Sequence, residues 1–489
     1  MSTVPGSLHE VQRASTRIAT VIRPATWLEA LLAFDDHPHA RPIAGGTDLL
    51  LDLARSSGDP VTLIDLSAVD GGREIHDVGD AFVLGGGVTH NQIVGDARIR
   101  AHCLPLAQAC LEVGSPQLRN RATLAGNLAT ASPANDSISA LMALGAKVVL
   151  TRLVDGTERV REVDIARFFT GFRSTVCDAH ELITAIRVPK LAADERGIWV
   201  KVGLRRAQAI SVVHAAMVVA LRDGIVTAGR LSIGSVAPTV IESHVFPAAV
   251  LGKVLDDATI ASTARSVAAS IEPIDDVRAT ADYRRQVTQS VLARALHAIA
   301  DDTTGAAWPV EPPLLGVRTP STPPPNAVVT DEDTISMTLN GWPAAGFDAA
   351  GATLLDWLRD HSSVECSGVK EGCAEGECGA CTVLLDGSAV MSCLVPAAQA
   401  DGGEVTTVEG LSPSDGVGEL HPLQSSFIDE FAVQCGFCIP GFLVAGVALL
   451  DECPSPTDAQ IELGLAGNLC RCTGYYPIVQ AVRSAGTVR

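Results

Sequence analysis

Eight cysteines in the last quarter of the chain carry the clearest chemistry. Cys373, Cys378, Cys381 and Cys393 follow C-x4-C-x2-C-x11-C, the spacing of plant-type [2Fe–2S] sites. Gly372, Gly376 and Gly379 interleave them. Residues without a Cβ let the backbone wrap closely around a cluster and turn its N–H groups toward the sulfurs. The fourth thiol returns from the far arm of a hairpin. Zinc is the competing ligand, but structural zinc prefers two short ligand pairs to three thiols in one glycine-rich loop. Cys435, Cys438, Cys470 and Cys472 follow C-x2-C-x31-C-x-C. Each pair stands at a junction with a helix, and two helical hairpins can bring the pairs together. Spacing alone leaves this second set open between a cluster and zinc, because zinc and thioredoxin-like sites share C-x2-C. Cys103, Cys110, Cys177, Cys366 and Cys453 fit neither spacing and read as ordinary core or surface thiols.

Three glycine-bearing stretches lie further upstream, at 41–56, 84–93 and 113–146. None is G-x-G-x-x-G between a strand and a helix, and there is no Walker A sequence. Their chemistry still points to phosphate. Gly45-Gly46 end an apolar run, and Thr47 can cap the helix that begins there, leaving free N–H groups at a positive helix end. Ala125-Gly126-Asn127, then Ser132-Pro133 and Asp136, repeat the arrangement. A plain turn before a helix also looks like this. His90 reads as a loop or cap residue and His214, within an apolar run, as a satisfied core histidine. No Ser/His/Asp or paired-carboxylate constellation emerges from the spacing.

The elements that must position these groups alternate in type. Helices are predicted at 27–34 and 137–144, and strands at 61–66 and 82–84. A hairpin is predicted at 148–163 around Asp155-Gly156, since Asp-Gly favours primed turns. A long helix covers 275–299. Seven prolines between Pro309 and Pro325 make 303–332 a semi-rigid extended linker and the main domain boundary. Beyond it, Ile335, Met337 and Leu339 alternate as a strand, a helix covers 353–361, and Asp386-Gly387 marks a second hairpin. From Pro422 the pattern is helical. The class is α+β.

Composition agrees with several folded modules. At 489 residues the chain has room for about three domains, and 47% apolar residues can fill their cores. The net charge of −20 is uneven: residues 331–489 hold 5 basic and 22 acidic side chains. No nucleic-acid surface is expected of so acidic a chain. The acidic module reads as a solvated face or as a surface steering a basic partner. Neither a secretion signal nor an apolar run long enough to span a bilayer stands out. A cytoplasmic protein is expected, in which 13 cysteines argue for metal ligation over disulfides.

The motifs together resemble a known family. GCAEGECGACTVLLDGSAVMSC, QCGFCIPGF and NLCRCTGYYPI, over about residues 333–485, resemble the iron–sulfur subunit of the xanthine dehydrogenase/aldehyde oxidase family of molybdenum hydroxylases. Residues 16–300 resemble that family's flavin-binding subunit. The likeness implies two [2Fe–2S] clusters. Cys373, Cys378, Cys381 and Cys393 would hold the flavin-side one in a ferredoxin-like, β-grasp domain (333–411). Cys435, Cys438, Cys470 and Cys472 would hold the molybdenum-side one in a helical-bundle domain (412–489), with Gln434 contacting the pterin. It also implies a two-lobed FAD-binding module (16–195) followed by a C-terminal flavoprotein subdomain (196–302). Its first FAD loop would be Pro42, Ile43, Ala44, Gly45, Gly46, Thr47, Asp48 and Leu49. Its second would be Thr123, Leu124, Ala125, Gly126 and Asn127, continuing through Ser132 and Asp136. Val113 and Ile183 would lie near the flavin rings, and Lys201 would reach the cofactor. Ala125 departs from the usual glycine. The module order, flavin first, reverses that of the fused enzymes and suggests two usually separate subunits joined end to end.

The function implied is electron transfer. A large molybdopterin-binding catalytic subunit would oxidise the substrate, and electrons would pass through the two clusters to FAD and on to NAD, oxygen or a quinone. A dimer of heterodimers is expected. Two alternatives are a self-contained NADH-dependent flavin/iron–sulfur reductase and a non-enzymatic redox sensor; a recognisable nicotinamide domain is missing for the first, and the FAD motifs argue against the second.

Overall fold

The structure is a computed structural model that describes residues 18–56, 58–316, 328–347, 349–364, 366–412 and 420–486. It is α+β throughout and divides into two compact units. No helix among the described residues is long and apolar enough to cross a membrane.

One unit comprises residues 1–70, 115–122 and 311–489. Its first sheet has parallel strands Ile18–Ile22, Val61–Asp65 and Arg41–Ile43, and Val328–Thr330 adds an antiparallel edge. The helices Trp27–Asp36 and Leu49–Arg55 make the crossovers that parallel pairing requires. Its second sheet runs Trp342–Gly346, Ile335–Leu339, Glu404–Thr406, Thr382–Leu385 and Ser388–Met391. Ile335, Met337 and Leu339 point inward and their neighbours outward, as period-2 alternation requires. A single apolar core joins both sheets, from Val21, Ile43 and Leu63 through Val329 to Trp357 and Val405. The helices Pro422–Asp429, Ile439–Glu452, Asp458–Gly464 and Tyr476–Gly486 enclose a separate core.

The other unit comprises residues 71–114 and 123–310. A five-stranded antiparallel sheet runs Ile75–Asp77, Ala81–Gly85, Leu182–Pro189, Lys147–Val154 and Thr157–Asp164. A four-stranded one runs Glu195–Gly203, Ser211–Arg222, Ile225–Gly234 and Ile241–Glu242. The helices Asp257–Ala269 and Ala281–Ala300 complete the core of the second sheet. Helix Asp136–Leu144 is buried along its whole length and stops at Gly145, φ 72°.

Several local expectations need correction. The helix expected from residue 275 begins at Ala281, because the Asp276 carboxylate accepts the N–H groups of Arg278 and Ala279 and so folds 275–280 into a turn capped by Thr280. Within the helical stretch expected from Pro422, the helix that starts at Asp458 ends at Gly464, ahead of the Cys470 turn. The proline-rich stretch is docked at its start: Leu315 is fully buried in the helical core, and the Leu314 and Leu315 N–H groups donate to Glu452. Its residues 317–327 lie outside the described residues.

Candidate redox centres

The first thiol set is built on a hairpin. Thr382–Leu385 and Ser388–Met391 pair through a two-residue turn with Asp386 and Gly387 at φ 49° and 77°. Thr382 pairs with Met391, which sets Cys381, before one arm, beside Cys393, after the other. Each side chain perturbs the other: the Cys393 thiol holds Cys381 below its ordinary pKa and is itself pushed up. Cys373 and Cys378 form the other couple. The Cys378 thiol hydrogen-bonds to Cys373, and the N–H groups of Glu375, Glu377 and Cys378 converge on the same sulfur at 3.4 Å each. Together they outweigh burial and hold Cys373 at about 5. Gly372 belongs here for space, since a Cβ there would stand 2.6 Å from the Cys378 sulfur.

The second set also meets in twos. Cys435 and Cys472, both exposed, hydrogen-bond to each other, and Cys438, at the start of helix Ile439–Glu452, meets Cys470. Burial, then Cys470, pushes Cys438 up to about 12. Among the described residues no group of three or more His, Cys, Asp or Glu side chains converges as a single ion requires. Four thiols arranged as two couples match a di-iron centre that takes two thiolates per iron. The first donor set therefore fits the cluster that its spacing predicts, and the second fits the cluster that the family resemblance implies.

The two ligand loops touch. Leu469 N–H donates to the Cys378 carbonyl at 2.9 Å, and Asn468 Nδ2 donates to the Gly379 carbonyl at 3.0 Å. A Cβ on Gly379 would stand 2.3 Å from the Gly467 oxygen, and one on Gly441 would stand 2.1 Å from the Gly379 oxygen. Gln117, fully buried, donates to Asn468 Oδ1 at 2.7 Å. Sequence reasoning missed Gln117, Asn468 and Gly441. Only the glycine left a signal, since glycine inside an apolar helix is costly without a reason. Gln434 is exposed beside Cys435.

The two glycine loops are each ordered by their own unit. Gly45 lies where a Cβ would be 2.2 Å from the Arg121 carbonyl, and Gly46 sits at φ 77°. The expected cap by Thr47 is not found. Asp48 is the N-cap of Leu49–Arg55, and its side chain does not make the capping hydrogen bond. Pro42 and Ile43 belong to strand Arg41–Ile43, with Ile43 in the core, while Ala44 accepts from Gln399 Nε2 at 3.2 Å. At the second loop Thr123 caps helix Leu124–Thr130 by accepting the Gly126 N–H at 3.0 Å, so that donor is already engaged. Leu124 and Ala125 are buried. Asn127 Oδ1 accepts from Ser137, and Ser132 accepts from the Ala134 N–H. Asp136 is no cap. Its carboxylate accepts from Ser211 at 2.5 Å and pairs with Lys201 at 2.6 Å. Val113 and Ile183 are half-buried, Ile183 opposite Leu150 in the sheet.

Packing accounts for Cys103, Cys110, Cys366, His90 and His214. Burial pushes Cys103 up to about 12 and Cys366 to about 11. The cap beside His90 is Thr89, and the buried His90 ring meets the Cys110 sulfur at 3.2 Å. His214 meets Ser139 at 2.7 Å and the Pro133 carbonyl at 3.1 Å.

Comparison with known proteins matches three families along the chain. Residues 14–191 match the FAD binding domain in molybdopterin dehydrogenase, residues 199–299 the CO dehydrogenase flavoprotein C-terminal domain, and residues 407–483 a [2Fe-2S] binding domain. The last match settles the second cysteine module as iron–sulfur, where its spacing left zinc open. The nicotine 6-hydroxylase small subunit of Paenarthrobacter nicotinovorans is 47% identical over 165 residues, 34% of this chain and 94% of that protein. The xanthine dehydrogenase iron-sulfur-binding subunit of Escherichia coli O157:H7 is 46% identical over 151 residues, 30% of this chain and 91% of that protein. A chain of the carbon monoxide dehydrogenase from Hydrogenophaga pseudoflava that lacks the Mo-pyranopterin moiety is similar in structure. The TM-score is 0.54 at 28% identity, covering 59% of this chain and 98% of that one.

Proposed function

We propose, for a chain that belongs to the molybdenum hydroxylase family and carries its flavin-binding and [2Fe–2S] modules in one polypeptide, the role of electron-transfer subunit. It would pass electrons from a molybdopterin-containing partner chain through two clusters to FAD and then to an acceptor. The observation that carries the reading is the hydrogen bond between the ligand loops, from Leu469 N–H to the Cys378 carbonyl at 2.9 Å. It joins a residue adjacent to Cys470 directly to Cys378, so each set has the other as its neighbour.

Cys373, Cys378, Cys381 and Cys393 would hold one cluster, and Cys435, Cys438, Cys470 and Cys472 the other. The loops Pro42–Leu49 and Thr123–Asn127, with Ser132 and Asp136, are the assigned flavin-nucleotide segments. Bound there, the flavin would supply two-electron chemistry and each cluster one-electron chemistry. The protein's own work is placement and shielding. Cys381 and Cys393 are buried, and the backbone N–H groups at Cys373 stabilise a thiolate. By contrast Cys435 and Cys472 are exposed, flanked in sequence by exposed Phe431, Phe437 and Tyr476. An apolar rim around exposed ligands supports docking of a partner chain there, and Gln434 would meet its pterin.

The test is purification from the native host. A large molybdopterin-containing chain should accompany this one, with about one FAD and about four iron atoms per copy, two per cluster. Absence of molybdenum from every companion, or zinc in place of iron, overturns the assignment. In that complex Cys470→Ser should abolish flavin reduction by substrate while FAD stays bound; undiminished reduction would refute the route.

A further inference from the structure

The turn that follows the last two thiols is Cys470-Arg471-Cys472-Thr473-Gly474-Tyr475. It closes on itself. Gly474 and Tyr475 both have left-handed backbone, φ 69° and 70°. This bends the chain so that the Tyr475 hydroxyl accepts the Cys470 N–H at 3.0 Å, and the Tyr475 ring packs edge-on against Phe442 at 6.4 Å. Thr473 is held inside the turn. Its hydroxyl oxygen accepts the Tyr475 N–H at 3.2 Å and lies 3.1 Å from the Cys470 sulfur, which the Thr473 N–H also approaches at 3.4 Å. A hydroxyl has one proton and two lone pairs. One lone pair takes the Tyr475 N–H, and the hydroxyl donates its proton to the Cys470 sulfur.

Resting on the reading of Cys435, Cys438, Cys470 and Cys472 as [2Fe–2S] ligands, we propose that Thr473 is a positioning residue that sets the reduction potential of the helical-domain cluster through its hydrogen bond to Cys470. Reduction by one electron adds one negative charge to a group already carrying four thiolates. A donor aimed at a ligand sulfur stabilises the more negative state and raises the potential. Apart from the Cys378 thiol, itself one of the set, the donors converging on Cys373 are backbone N–H groups fixed by the path of the chain. The donor at Cys470 includes a side chain, so a single substitution removes it and leaves the ligand in place.

The experiment is a redox titration of the complete complex followed by electron paramagnetic resonance, comparing wild type with Thr473→Val, Thr473→Ala and Thr473→Ser. At the potential where the wild-type helical-domain cluster is half reduced, Thr473→Val should lower its reduced-to-oxidised ratio about tenfold, a shift of about 59 mV to more negative potential for one electron. Thr473→Ala should shift it in the same direction. Thr473→Ser, which keeps the hydroxyl, should titrate with wild type, and the signal from the Cys373 set should not move in any variant. A wild-type potential in Thr473→Val overturns the proposal. So does loss of the helical-domain signal in both the Val and Ala variants, which would make the residue structural. Fewer than two [2Fe–2S] signals in the wild-type complex instead defeats the underlying two-cluster reading.

Discussion

Lys201 Nζ lies 2.6 Å from Asp136 Oδ2, with both side chains over nine-tenths buried. Lys201 also donates to the Glu112 carbonyl at 3.2 Å, and Asp136 accepts from Ser211. Both residues stand among the flavin assignments, yet here they neutralise each other. Removing one partner of a buried pair leaves an uncompensated charge and costs about 3–5 kcal/mol. Lys201→Met should therefore lower the unfolding free energy of flavin-free protein by about that amount, read as a lower urea midpoint, and the double variant with Asp136→Asn should recover part of it. A midpoint unchanged in the flavin-free single variant would show that the pair has no structural role.

Arg23 forms the corresponding centre in the other unit. Its guanidinium lies 3.8 Å from Asp65 and 3.6 Å from Asp401, all three buried, and Gln399 donates to Asp65 at 2.7 Å while accepting from Arg121. The network ties the first sheet of that unit to its second. Arg23→Leu should destabilise by about 3 kcal/mol or more, because two carboxylates lose one cation. Denaturant unfolding followed through the tryptophans measures it.

Acid should weaken the unit that holds His214. Complete burial holds its ring below the ordinary value of 6.5, so the folded state binds fewer protons than the unfolded one. Stability is then full above pH 6.5 and falls as pH drops from there toward the folded value, by at most about 1.4 kcal/mol per pH unit. Unfolding at pH 7.5 and pH 5 should show this slope in wild type and a shallower one in His214→Gln.

Gly441→Ala should be destabilising although alanine is the better helix former. The added Cβ would stand 2.1 Å from the Gly379 carbonyl, forcing apart the two loops that Leu469 and Cys378 join. Overpacking of this kind costs about 1–3 kcal/mol. Thermal unfolding should show the loss, and the iron content of the purified variant should fall below that of wild type.

Local chemistry made much of this legible in advance. Asp155-Gly156 and Asp386-Gly387 lie at φ 53°/71° and 49°/77°, which a two-residue hairpin demands and Asp-Gly supplies. The spacing of Cys373, Cys378 and Cys381 pointed to a cluster for the same reason, because three thiols in one loop are set by local geometry, whereas the second set, split by 31 residues, left zinc open until its resemblance to a family was weighed. What stayed hidden depends on partners far along the chain. Asp276 breaks a helical pattern by binding Arg278 and, across the turn, Arg284. Gln117 meets Asn468 from 351 positions away, and nothing in its neighbours marks it. Gly45 reads as a phosphate loop, yet the Arg121 carbonyl alone forbids a side chain there.

The edge strand Val328–Thr330 has a consequence for how the polypeptide is made. Strand Ile18–Ile22 leaves the ribosome about three hundred residues before its antiparallel neighbour, and the core beneath it closes only with Trp357 and Val405. Pairing over such separation is slow and leaves apolar surface uncovered in the meantime. Strand Ile18–Ile22 therefore finishes folding only after the far later Val328–Thr330 has been made, and a nascent chain stalled before residue 328 should depend on chaperones for its solubility.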